Sequence, residues 1–238
     1  MQAVLESTWQ SLLRRVPPNS VLYYPGIHGG AATIIDRSGS GNDGVIFGAI
    51  ARRLHNGLWY YDFDGINDKV TITNSASITP GTDDWSIRAW VRVPPNAARE
   101  GLLSSHASST GFYCDVLITG LLRVSFADFV GAVSNYVYVD SNTAIDNNIW
   151  HQLGISWDIS LQAIKIYIDK TDVTGTLAAV NTVTNVTNGA DLTLGFSVPS
   201  GGVEYLDFDW VLLGMRRSLM SQADYTDFYH QERHIFGI

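Results

Sequence analysis

The alternation of apolar and polar residues along this chain predicts a series of short β-strands. In the clearest run, from Trp85 to Val93, every second residue is apolar and would face a core. The intervening positions hold Ser86, Arg88, Trp90 and Arg92, which would form the opposite face. Similar runs recur at intervals of about 8–12 residues between turn-forming segments, which is typical of a β-sandwich. The other principal strands are predicted at Val21–Tyr24, Val45–Ala49, Trp59–Phe63, Lys69–Thr73, Leu102–Ser105, Phe112–Thr119, Leu121–Ala127, Tyr136–Val139, His151–Trp157, Ala163–Asp169, Asp191–Gly195 and Tyr205–Leu213.

A short helix is predicted at each end of the chain. Residues 1–18 form an N-terminal extension, in which an apolar stripe at helical spacing ends at Pro17 and Pro18. The stripe consists of Leu5, Trp9, Leu12 and Leu13. It would either close over the sheet of its own chain or dock on another copy, and we favour the second, as a homo-oligomer or assembly contact. Residues 19–238 form the sandwich and end in a helix that opens at Ser221, with Asp224 three residues later and Phe228 and Tyr229 facing inward.

Composition narrows the class of protein. The 238 residues have a net charge of −8, which argues against nucleic acid as a partner, because phosphate binding needs a basic face. Cys114 is the single cysteine, so an intrachain disulfide is impossible, and its apolar neighbours predict a buried thiol.

No apolar run reaches the ~18 residues of a membrane span, and no signal peptide is recognisable. We nevertheless expect the protein on the outside of a cell or on the surface of a virion or similar particle.

Two acidic, glycine-containing turns are candidates for metal binding. Between the strands of Leu58–Ile72 lie Asp62, Asp64 and Asp68, three carboxylates that must either repel one another or share a cation. A second turn, residues 36–44, offers the oxygen atoms of Asp36 and Asn42 beside several glycines, but it lacks the final Glu of an EF-hand. The alternative is that these side chains form local Asx-turns.

The order of short motifs along the chain resembles the laminin-G-like branch of the concanavalin A-like lectin/glucanase superfamily. The motifs, from about Val21 to Tyr229, are LYYPG, DRSGSGNDG, FDGINDKVTI, DWSIRAWVRV, GLLRVSF, NNIWHQLGISWD, AIKIYIDKTDV, DLTLG, YLDFDWVLL and MSQADYTDFY. One departure is Lys170, which stands where the family usually has a glycine.

This resemblance implies an all-β, two-sheet antiparallel jelly-roll sandwich, often with a structural Ca²⁺ ion. It assigns the metal to Asp36 and Asp209, with Asn42 and Asp64 as further donors. It also implies membership in a group that includes sugar-binding modules, adhesins and surface proteins.

Strand alternation predicts a second face that is suited to sugars. Aromatic rings stack on apolar sugar faces, and neighbouring polar side chains supply directed hydrogen bonds. The predicted ligand-binding residues are Arg88, Trp90, Tyr113, Asp115, Tyr136 and Tyr138. The alternative is that a helix, a loop or another subunit covers these rings.

Catalysis finds little support in the sequence. Superfamily glucanases use paired Glu residues, whereas this chain has four Glu, none of them two or four residues from another. The pair of carboxyl residues that comes nearest to this catalytic pattern is Glu204 with Asp209.

The leading hypothesis is therefore a non-enzymatic, lectin-like module for glycan binding or adhesion. The alternative is a structural or assembly protein of a virion, tail or filament, and a degenerate glycoside hydrolase is the third.

Overall fold

The computed structural model of the chain describes residues 16–26, 32–95, 98–107, 109–130, 133–197 and 204–238. Leu5, Trp9, Leu12 and Leu13 lie outside these residues, so the N-terminal helix and its oligomer contact stay predictions. In the described part of the chain, two antiparallel sheets pack face to face, and a short helix closes the C-terminus. The predicted all-β sandwich with a C-terminal helix is confirmed.

The described strands divide into two large sheets and one small ribbon. The first sheet has eight strands, in the order β14 (Thr171–Asp172), β13 (Ala163–Ile168), β12 (Trp150–Asp158), β7 (Trp85–Arg92), β19 (Asp207–Arg216), β5 (Leu58–Asp64) and β4 (Ala51–His55), with β1 (Ser20–Tyr24) also paired to β19. The second has nine, in the order β15 (Thr174–Val180), β11 (Val133–Ala144), β10 (Leu121–Val130), β9 (Thr110–Val116), β8 (Glu100–Ala107), β16 (Leu192–Leu194), β6 (Lys69–Ile72), β3 (Gly44–Phe47) and β2 (Thr33–Ile34). The ribbon pairs β17 (Phe196–Ser197) with β18 (Glu204–Tyr205).

The acidic turn after β5 carries the chain from one sheet to the other. β5 lies in the eight-stranded sheet and β6 in the nine-stranded sheet, so the two strands do not form a hairpin. Within the turn, the side chain of Asp64 accepts hydrogen bonds from the backbone N–H groups of Ile66 and Asn67, at 2.9 and 3.4 Å. Asp68 accepts from the N–H of Ala49 at 2.7 Å. The crossover is therefore held by carboxylate-to-backbone bonds.

The core between the sheets consists of the inward half of each alternating strand. Trp85, Ile87, Ala89 and Val91 of β7 all belong to it, as their spacing predicts. Aromatic rings of opposite sheets pack against each other in this core; the ring centroids of Trp85 and Phe112, for example, are 4.4 Å apart. Cys114 also lies in this core, and burial raises the pKa of its thiol far above the usual range. The prediction of a buried structural cysteine is confirmed.

The C-terminal helix α1 (Gln222–Glu232) packs on the outer face of the eight-stranded sheet. The predicted cap is present, with the Ser221 side chain accepting from the N–H of Asp224 and the Asp224 carboxylate accepting from the N–H of Ser221. Tyr225 is the fully buried residue of α1, and Gly154 of β12 makes room for its ring. A Cβ atom at Gly154 would lie 2.5 Å from that ring. In the described residues, no helix has both the length and the apolar character that crossing a membrane would require.

Candidate functional site

A groove follows β10 on the outer face of the nine-stranded sheet, and three of the predicted ligand residues line it. Ser125 of β10 is paired with Tyr113 of β9 on one side and with Tyr138 of β11 on the other. Neighbouring strands lie about 4.8 Å apart, so the backbones that carry the two tyrosines are separated by about 10 Å, with a small residue between them. The next row along β10 places Ala127 beside Tyr136. Small residues therefore form the floor, and tyrosines form the walls.

The walls of the groove are held by contacts between rings and cations. The rings of Tyr136 and Tyr138 are stacked, with centroids 6.2 Å apart and planes inclined by 25°. The ring of His106 meets Tyr113 edge-on at 6.0 Å. Arg123 closes one end, since its guanidinium lies 4.5 Å from the centroid of Tyr138 and binds both oxygens of Asp140 at 2.7 Å. The groove has a volume of about 300 Å³, which is in the range of small-ligand sites.

The charges along the groove are paired or suppressed. Arg123 is neutralised by Asp140, and Arg99, 5.2 Å from the centroid of Tyr113, is neutralised by Asp115. Burial lowers the pKa of His106, which favours its neutral form near pH 7. The groove thus offers aromatic faces and polar edges without an excess of charge.

Asp115 was predicted to face solvent and to bind a ligand, but the structure buries it. Alternation does turn it away from the core, but its side chain is fully buried and forms a salt bridge with Arg99. Burial raises the pKa of this carboxyl group, and the Arg99 charge opposes the rise. The cover is the ribbon of β17 and β18, which lies so close to β8 that a Cβ atom at Gly101 would be 2.2 Å from the Ser197 nitrogen. Asp115 supports the groove from below by fixing Arg99.

The prediction that Arg88 and Trp90 face solvent is wrong. Both occupy the predicted face of β7, but helix α1 and the residues after it cover that face. The Trp90 indole N–H donates to Glu232 Oε2 at 2.7 Å, and its ring stacks on Phe236 at 4.2 Å. The Arg88 guanidinium donates to Glu232 Oε1 at 2.6 Å. Neither side chain is available to a ligand on this surface.

A second, strongly charged cleft lies on the same outer face, beyond the end of the helix. It has a volume of about 360 Å³ and contains two neighbouring ion pairs, Arg92 with Asp209 and Arg53 with Asp62. Burial raises the pKa of Asp209 to about 6, although the charge of Arg92 opposes this. Asp209 is therefore engaged with arginine on the outer face.

The remaining residues of the predicted calcium site are also engaged within the protein. Asp36 Oδ1 accepts from the N–H groups of Tyr23 and Ser38, and Asp36 Oδ2 accepts from the Ser38 hydroxyl and the N–H of Asn42. The amide of Asn42 bonds the carbonyl of Val21 and the side chains of Ser75 and Ser77. A carboxylate has about four acceptor positions, so those of Asp36 are all in use.

The structure does not bring the four predicted metal ligands together. Asp36 and Asn42 share one turn, Asp64 caps its own turn, and Asp209 is paired with Arg92. Among the described residues, no group of three or more His, Cys, Asp or Glu side chains is arranged to hold a metal ion. The four predicted side chains are therefore not placed around one shared ion, and Ca²⁺ binding stays a prediction from the acidic turns and the resemblance.

Calcium binding is tested by thermal unfolding with excess Ca²⁺ and with EDTA. An ion present at ~100 times its dissociation constant would add ~2.7 kcal/mol to the stability of the folded state. If the prediction holds, the two melting curves separate by several degrees, and Asp36→Ala removes the separation. Coincident curves, together with no calcium by elemental analysis, would contradict it.

A comparison with protein-family models matches residues 64–209 to a laminin-G-type model described as the concanavalin A-like lectin/glucanases superfamily. The chain belongs to this superfamily. The matched segment begins in β5, includes β6 to β18 and ends within β19, so it contains the whole groove. No curated protein matches the chain in a comparison of sequences.

Several solved toxin domains are similar to this chain in fold. The binding domain of Paraclostridial Mosquitocidal Protein 1 superposes with a TM-score of 0.70 at 14% identity, over 92% of this chain and 53% of that one. The receptor-binding domain of botulinum neurotoxin C/D mosaic serotype gives 0.69 at 12% identity, over 90% and 51%. The binding domain of serotype G gives 0.67 at 17% identity, over 90% and 51%. This chain therefore spans about half the length of these structures and shares the fold of these binding domains.

Sequence reasoning missed several residues that shape the groove. Arg123 and Ser125 follow the same alternation as the predicted tyrosines, and that pattern was sufficient to place them on the outer face of β10. Arg99 and His106 have no comparable signal, because their approach to Tyr113 depends on the pairing of β8 with β9. The register of the sheet, rather than any motif, creates the groove.

Proposed function

We propose that this protein is a non-enzymatic, lectin-like module that binds carbohydrate in the groove along β10. The observation that carries the proposal is the pair Tyr113 and Tyr138, which face each other across Ser125. Rings at this spacing offer stacking surfaces to a sugar, while the polar side chains at the closed end provide hydrogen-bond donors and acceptors. The superfamily and the neighbouring binding domains, one of them a receptor-binding domain, support a binding role.

The absence of hydrolysis is part of this proposal. Glu204 lies in the ribbon on the nine-stranded sheet, whereas Asp209 lies in β19 of the other sheet and is paired with Arg92. The Asp209 carboxylate is engaged by arginine, whereas a glycosidase uses two carboxyl groups that flank the scissile bond. We also propose display on a cell or particle surface. The homo-oligomer or assembly contact through the N-terminal segment stays a prediction.

We expect Tyr138→Ala to weaken glycan binding at least tenfold, because it removes one stacking wall and the ring that Arg123 contacts. Binding would be measured on a broad glycan array and then by titration of the strongest ligand. Phe47→Ala is the matched control, since Phe47 is an exposed ring on β3 of the same sheet, outside the groove. Equal losses in both variants, or an unchanged affinity in Tyr138→Ala, would contradict the proposed site.

A further inference from the structure

The groove does not end at its tyrosine walls, because the outward residues of β10 continue beyond them. Arg123, Ser125, Ala127 and Phe129 occupy alternate positions and therefore share the outer face of the strand. Arg123 marks the closed end, where it is held by Asp140. Phe129 marks the other end, and 52% of its surface is exposed. One continuous face thus joins a polar end to an open aromatic end.

The length of this face exceeds what a single sugar needs. Phe129 lies six positions after Arg123, which corresponds to about 20 Å along an extended strand. Tyr113, Tyr136 and Tyr138 flank only the middle of this distance. A monosaccharide between the tyrosines would leave Phe129 without contact, whereas a chain of several sugars lying along β10 would reach it.

The electrostatics of the face favour a neutral ligand. Both arginines beside the tyrosines already form salt bridges, Arg99 with Asp115 and Arg123 with Asp140. An acidic sugar would have to compete with these carboxylates and approach a protein of net charge −8. A neutral hydroxyl group can accept from the Arg123 guanidinium without separating its pair with Asp140.

We propose, building on the carbohydrate-binding function above, that the groove takes a linear neutral oligosaccharide along β10, with Phe129 as an outer stacking subsite. The sugar chain lies parallel to the strand, from the Arg123 end to the exposed ring. Affinity consequently rises with the number of sugar units until the chain reaches Phe129.

The proposal is tested by titrating the full chain with cello-, laminari- and malto-oligosaccharides of one to six units, and with oligogalacturonides as the acidic series. We expect affinity for a neutral series to rise with length and then level off. Phe129→Ser should lower the affinity for the longest members by about fivefold and leave that for mono- and disaccharides unchanged, whereas Tyr138→Ala should weaken binding at all lengths. Leu161→Ser is the matched control, because Leu161 is an exposed apolar residue in the β12–β13 turn of the other sheet.

The outcomes separate this proposal from the function on which it rests. Neutral binding that is independent of length and insensitive to Phe129→Ser would overturn the extended groove but leave carbohydrate binding in place. Tighter binding of the acidic oligosaccharides than of the neutral ones would contradict the proposal that the ligand is neutral. No binding of any neutral oligosaccharide would contradict both proposals.

Discussion

Glu232→Ala should destabilise the folded protein by about 3–5 kcal/mol, the range expected when one partner of a buried ion pair is removed. Glu232 binds the guanidinium of Arg88 through Oε1 and the indole of Trp90 through Oε2, at 2.6 and 2.7 Å. The Arg88 side chain is only 4% exposed, with the ring of Phe228 3.8 Å from its guanidinium. Without Glu232, its positive charge would remain buried with no carboxylate opposite it.

The loss should appear in urea unfolding at pH 7 as a lower midpoint with a similar slope. Gln231→Ala is the matched control, because the exposed neighbour on the same helix should change stability by less than about 0.5 kcal/mol. A Glu232→Ala variant as stable as this control would show that the helix does not depend on the buried pair.

Asp128→Ala should cost on the order of 2–3 kcal/mol at pH 7, because the buried Asn135 amide and the donors of Thr184 and Asn185 would all lose their acceptor. One oxygen of Asp128 accepts from the Asn135 amide at 2.5 Å. The other accepts from the N–H and hydroxyl of Thr184, at 2.6 and 2.9 Å, and from the N–H of Asn185 at 3.0 Å. These bonds fasten the segment after β15 to the β10–β11 hairpin, which carries one wall of the groove.

The effect of Asp128 should depend on pH. Burial by itself would raise the pKa of this carboxyl group, but the hydrogen bonds from Thr184, Asn135 and Asn185 outweigh it and lower the pKa. The unfolded chain, with an ordinary pKa of about 3.9, then binds more protons than the folded protein, so the stabilisation is complete above that pH and disappears as the pH falls through the folded pKa.

Urea unfolding of both proteins between pH 2 and pH 7 measures this dependence. The difference between wild type and Asp128→Ala should be constant near neutrality and should shrink below about pH 4. Asp227→Ala, at an exposed position of α1, serves as the control. A difference that stays the same down to pH 2 would contradict the role of the ionised carboxylate.

Local alternation was sufficient to predict the principal strands and their inner faces, but not β4 or β15. Alternate residues of β7, namely Trp85, Ile87, Ala89 and Val91, face the core because side chains alternate across a strand whatever the partner strands are. The helix cap at Ser221 and Asp224 was equally predictable, since it involves residues three apart. The outward direction of Tyr113, Tyr136 and Tyr138 follows from the same alternation.

What covers an outer face could not be predicted in this way. Arg88 and Trp90 point where the alternation places them, but Glu232 and Phe236, more than 140 residues later in the chain, close over them. Asp115 is likewise hidden by the ribbon of β17 and β18, which carries Ser197. Alternation along a strand determines which way a side chain points, whereas the exposure of that side chain depends on segments that are distant in sequence.

Sequence patterns were sufficient for the apolar face of each principal strand, the likeness to the superfamily, the burial of Cys114 and the outward direction of the three groove tyrosines. The tertiary structure alone decided that α1 buries one aromatic face and that the other remains open along β10. It also decided that Asp36, Asn42, Asp64 and Asp209 occupy separate environments. The physical reason is that periodicity is a local property of the backbone, while a site requires distant strands to pair in one register and leave one surface uncovered.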